Sequence, residues 1–103
     1  MDDITEARRK AIAETIDTIS VEQLKALGDG LFPVLDHPWR EKFFTFLSEN
    51  AGATFHHATT GDNIHIIYCH GQDKGMWFMP GSGMGPLQEK GRKILKAIVE
   101  GQR

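Results

Sequence analysis

One cysteine, Cys69, in 103 residues leaves the chain unable to close an internal disulfide, and a lone thiol fits a reducing compartment. No apolar run approaches the roughly 20 residues of a membrane span. Asp2, Asp3 and Glu6 precede any apolar stretch, unlike the start of a secretory leader, so a cytoplasmic protein is expected. No linker, low-complexity segment or internal repeat divides the chain, and its length holds one domain, residues 1–103. Lysine and arginine are missing from residues 51–73, which carry Asp62 and Asp73. Residues 1–50 hold ten acids against six bases, and residues 74–103 six bases against two acids. With a net charge of −2 the chain lacks the basic excess of a nucleic-acid binder, so nucleic acid is not an expected partner.

What is present divides into a helical half, 1–50, and a strand-rich half, 53–103. Asp3 with Glu6 three residues on has the form of a capping box, and Ile4, Ala7, Ala11, Ile12 and Ile16 recur at helical spacing, predicting a helix over 4–18. Ser20 with Gln23 repeats the capping signal for a short helix through Val21, Leu24 and Leu27 that stops near Gly28 and Gly30. Pro38 opens a third helix whose Trp39, Phe43, Phe46 and Leu47 form a core stripe. After Gly52 the period shortens, predicting strands near 54–60, 64–69 and 76–80 joined at Gly61-Asp62-Asn63 and Gln72-Asp73-Lys74-Gly75. A last helix over 86–100 carries Leu87, Gly91, Ile94, Leu95 and Ile98 on one side and Lys90, Lys93 and Lys96 outward. The expected fold is α+β, ααα-βββ-α, with a three-stranded antiparallel meander.

Both faces of these strands are apolar. Ile64, Ile66 and Tyr68 alternate with His65, Ile67 and Cys69, and Met76 and Phe78 with Trp77 and Met79. A three-stranded meander buries one face under helices, so the other needs cover, and a homodimer through the sheet face and the glycine-rich loop after the third strand is the expected solution. On this basis the chain reads as a non-catalytic interaction module, with a protein partner or small anionic ligand as further expectations.

Four of the five histidines and the cysteine lie between 54 and 91. A two-residue hairpin turn would put His56, and a three-residue turn His57, opposite Ile67 and diagonal to both His65 and Cys69. Either register gathers a His/His/Cys trio, the ligand count of an open site for zinc or another divalent transition metal. The competing reading is a core cysteine among half-exposed histidines. Cys69 as a nucleophile would need access that a mid-strand position denies it.

Gly81, Ser82, Gly83 and Gly85 separate the third strand from the last helix, where glycine backbone N–H groups can turn toward an anion and Lys90 and Lys93 can add charge. The stretch matches neither the Walker nor the dinucleotide pattern.

Gly61, His65, Tyr68, Gly75, Pro80 and Gly91, in a helix, three strands and a helix from Glu41 on, resemble the small HicA toxins, themselves similar to double-stranded-RNA-binding domains. The resemblance implies an RNA-acting enzyme. The family's Gly-Ser-His reads Gly61-Asp62-Asn63 here, so asparagine stands where the family has its catalytic histidine. An RNA-acting or metal-dependent enzyme built on His56 or His57, His65 and Cys69 is therefore the alternative to the interaction module.

Overall fold

The structure, a computed structural model, describes residues 5–101. Helix α1 spans Glu6–Thr15, with the Thr5 hydroxyl accepting from the Arg8 N–H at 3.2 Å; the expected cap at Asp3 lies outside the described residues. The helix ends before the expected residue 18. Ile16 is extended (φ −62°, ψ 132°), and Asp17–Ile19 form a short strand, β1. Two β-branched residues here satisfy the backbone of a neighbouring strand instead of prolonging a helix. Thr15 extends that pairing by side chain. Its hydroxyl accepts from the Thr59 N–H at 3.0 Å and lies 2.9 Å from the Thr59 carbonyl oxygen.

Helix α2, Val21–Leu31, opens on the Ser20/Gln23 capping box. It continues through Gly28 and Gly30, where a stop was expected, because Gly28 is a contact surface. A Cβ there would sit 2.6 Å from Cε1 of Phe43, so the missing side chain is what lets α2 approach α3, Pro38–Glu49. The His37 Nδ1 accepts from the Trp39 N–H at 3.1 Å and caps α3.

The sheet has five strands where three were expected. β2 is Phe55–Thr59, β3 His65–Cys69, β4 Lys74–Met79 and β5 Gly83–Pro86, in the antiparallel order β1-β2-β3-β4-β5. The added strands are the two edges. β5 is composed of residues poor in strand propensity. Its glycines make room for the Trp77 indole, which comes within 3.6 Å of a Cβ built at Gly83 and 3.1 Å of one at Gly85. The Leu87 N–H donates to the Gly75 carbonyl at 3.0 Å, and ladder alternation from that bond turns the backbone of Met84 and Pro86 outward. Pro86 has no N–H to offer, which blunts this edge. Helix α4, Glu89–Gly101, follows.

Both sheet faces are covered within the chain. On one, Leu24 of α2 and Phe43 and Leu47 of α3 pack on Phe55, Ile67, Met76 and Phe78. On the other, Ile12 of α1 and Leu95 and Val99 of α4 pack on Ala58, Ile66 and Tyr68. The two-sided apolar pattern thus has its cover in two helical layers, and the sheet faces are not the open surface that the homodimer expectation required.

Candidate functional site

The β2–β3 register is set by a three-residue hairpin loop. Thr60 N–H donates to the Ile64 carbonyl at 2.9 Å across Gly61-Asp62-Asn63. Asn63 takes the left-handed conformation (φ 62°), which asparagine tolerates better than most residues. His57 is accordingly the partner of Ile67, and His56 of Tyr68. His57 therefore shares the α2/α3 face with His65 and Cys69, while His56 points to the α1/α4 face.

His57 and His65 meet, with Nε2 of one 3.0 Å from Nδ1 of the other. Their planes are 10° apart and their centroids 5.2 Å. Nearly parallel rings that bring two nitrogens so close at that centroid distance must be slipped sideways, so they lie edge to edge, not face on face. One ring donates and the other accepts, and a single proton bridges them. Burial lowers the pKa of His57, and the neighbouring His65 lowers it further; burial lowers that of His65. On its far side His65 stacks on Phe78, 5.0 Å between centroids.

Cys69 does not join the pair. It is fully buried in the cluster of Phe55, Ile67 and Phe78, which denies it the access of a nucleophile. Among the described residues no three His, Cys, Asp or Glu side chains are grouped to hold a metal ion. The imidazole nitrogens aim at each other, an arrangement for a shared proton, whereas a metal needs lone pairs converging on a third point.

The glycine-rich stretch is not a cradle at a helix start. Gly81 (φ 78°) and Ser82 make the turn after β4, with the Ser82 N–H donating to the Met79 carbonyl at 2.9 Å. Gly83 and Gly85 belong to β5, and α4 opens later, on Glu89. Lys90 and Lys93 are exposed on α4, and Lys93 lies 3.4 Å from the Glu89 carboxylate. The residues of the anion site expected from Gly81, Ser82, Gly83, Gly85, Lys90 and Lys93 are therefore spread over a turn, a strand and a helix.

A different surface comes together from these segments. A groove of about 570 Å³ runs between α3 and the β4–β5 edge, with Phe46, Met76 and Met84 among its apolar lining and Glu41, Lys42 and Glu49 among its charged residues. Pro38, at the start of α3, also lines it. In the chain just before Pro38 lie Val34 and Leu35, 55% and 80% exposed, the large hydrophobic side chains left in solvent among the described residues. Sequence reasoning misses the groove because Met84 falls in the stretch that reads as the connection between the third strand and the last helix; the Val34-Leu35 pair between two helices is the signal the sequence offers.

Comparison of the chain with protein-family models, curated proteins and solved structures finds no match. The segment from α3 to α4 carries one strand more than the HicA resemblance implies, since β5 intervenes before the last helix.

Proposed function

We propose that the protein is a non-catalytic interaction module whose first partner is a second copy of itself, docked through the α3–β5 groove. The observation that carries this reading is the exposed Val34–Leu35 knob next to the Pro38 end of an apolar groove. A surface that bears both a knob and a matching hole is self-complementary, and a two-fold axis lets each copy fill the other's groove. The groove carries both charge signs, so two α3 helices running antiparallel bring Lys42 of one copy toward Glu41 and Glu49 of the other. Two methionines adapt the lining to an inserted aliphatic side chain.

Sedimentation of the untagged protein tests it. A dimer is expected, converted to monomer by Leu35→Ser and by Met84→Glu. Leu35→Ser should leave the melting temperature of the monomer essentially unchanged, since an exposed side chain away from special features contributes within about 0.5 kcal/mol. A wild-type chain that stays monomeric at its highest soluble concentration overturns the proposal, as does a dimer indifferent to both substitutions. Another protein as the occupant would appear as a monomer whose selection from a random peptide library yields apolar sequences that no longer bind Met84→Glu.

A further inference from the structure

A cavity of about 460 Å³ opens on the α1/α4 side of the sheet, lined by Thr18 of β1, Thr54 and His56 around the start of β2, His70 and Gln72 of the β3–β4 connection, and Val99 of α4. It shares no lining residue with the α3–β5 groove, so a ligand held there is independent of the dimer.

The wall made by the β3–β4 connection is held rigid by side chains. Residues 70–72 form one turn of 3₁₀ helix, and Asp73 behind them is left-handed (φ 49°, ψ 49°). Buried Tyr68 donates its hydroxyl to Oδ1 of Asp73 at 2.9 Å. Arg92 of α4 stands 3.7 Å from the other Asp73 oxygen and donates to the Leu87 carbonyl at 2.7 Å. His70 Nε2 meets the Glu100 carboxylate at 3.2 Å. These contacts tie the turn to α4, so one wall of the cavity is held in place before any ligand enters.

The lining selects a ligand class by its chemistry. The hydroxyls of Thr18 and Thr54 and the Gln72 amide offer both donors and acceptors, with the imidazoles of His56 and His70 beside them. Among the described residues no lysine or arginine lines the cavity, and the carboxylate beside it belongs to Glu100. An anion would meet a negative charge with no fixed cation to balance it. A neutral molecule carrying hydroxyl groups would find partners on several sides, and Val99 gives its ring an apolar surface. The size suits a single ring or a nucleoside.

We infer that the cavity between Thr18, Thr54, His56, His70, Gln72 and Val99 is a binding site for a small neutral polyol, a free sugar or a nucleoside.

The imidazole C–H signals of His56 and His70, assigned with His56→Gln and His70→Gln, report on it by NMR. The untagged protein is titrated in turn with adenosine, D-ribose, D-glucose and inorganic phosphate. Saturable shifts of both signals with at least one of the three polyols, and none with phosphate, are expected; response to adenosine and ribose without glucose identifies a ribosyl ligand, and the reverse a hexose. Thr54→Val, which keeps the shape and removes a hydroxyl, should weaken that binding roughly fivefold to tenfold. Saturable shifts with phosphate alone overturn the inference in favour of an anion site. Signals unmoved by every polyol to its solubility limit also overturn it.

Discussion

His57 and His65 stand 3.0 Å apart on a half-buried part of the sheet, and the bond between them survives only while the two rings share one proton. A second proton replaces an acceptor with a donor and sets two charges side by side, which is why burial and proximity hold His57 below its ordinary value of 6.5, and burial holds His65 there. These shifts fix the sign of the pH dependence. With folded-state pKa values depressed, the unfolded chain binds more protons in acid, so this contribution to stability is fully present above pH 6.5 and is lost as pH falls through the lower folded-state values. Thermal melts from mildly alkaline to mildly acid pH should show a falling melting temperature, and His65→Gln, which does not titrate, should flatten that dependence. An equal slope in the variant would assign it to other groups. Tyr68 makes a second prediction at this scale. Its buried hydroxyl donates to Asp73, and burial first, then Asp73, raises its pKa. Tyr68→Phe should cost about 1.5 kcal/mol in urea unfolding, the low end for a bond to a charged but half-exposed acceptor, and should increase amide exchange over residues 70–73.

Among the elements, α2 shows how a local rule yields to a contact. Two glycines in one helix weaken it relative to alanine, yet α2 runs through both because α3 packs where the Gly28 side chain would be. Gly28→Ala raises helix propensity and still places a methyl 2.6 Å and 2.9 Å from Phe43 ring carbons. Overpacking of that kind typically costs about 1–3 kcal/mol, so the variant should be less stable in urea; a gain in stability would mean that α2 and α3 slide apart at little cost. Gly30, with nothing within 4 Å of a built Cβ, is the control in which alanine should be neutral or stabilising. The edge strands follow the same logic. β5 exists because β4 offers it a ladder and Trp77 covers its glycines, and β1 exists because β2 would otherwise present an open edge.

For the molecule as a whole, one five-stranded sheet is shared by two cores. Its central strands contribute to both, with Ile67 on the α2/α3 side and Ile66 and Tyr68 on the α1/α4 side, so neither core can melt without exposing the other's floor. The two tryptophans sit on opposite sides, Trp39 against the α2/α3 core and Trp77 against the α1/α4 core. Trp39→Phe and Trp77→Phe each leave one fluorescent reporter, and the two denaturation curves should coincide in midpoint and steepness, as two-state unfolding requires. Separate transitions would show that the layers unfold independently.

The chain's periodicities settle α1, α3, α4 and the three central strands, because an apolar stripe of period 3.6 or 2 must be buried whatever its surroundings. Ser20-Gln23 and Pro38 mark helix starts for equally local reasons. The α+β class follows from those elements, whereas the hairpin between them reads equally as a two-residue or a three-residue turn, and only the folded loop, with Asn63 left-handed, brings His57 rather than His56 to His65. Contact across the fold settles the rest. β5 carries no strand signal of its own and β1 only Thr18 and Ile19, too short a run to read as a strand, and both form on a ladder supplied by a neighbour; Gly28 reads as a helix stop until Phe43 occupies its missing side chain; Cys69 and His57 share a face but only one reaches His65. The two grooves arise between elements far apart in sequence, Phe46 with Met84 and Thr18 with His70, and no local pattern encodes a distance of that kind.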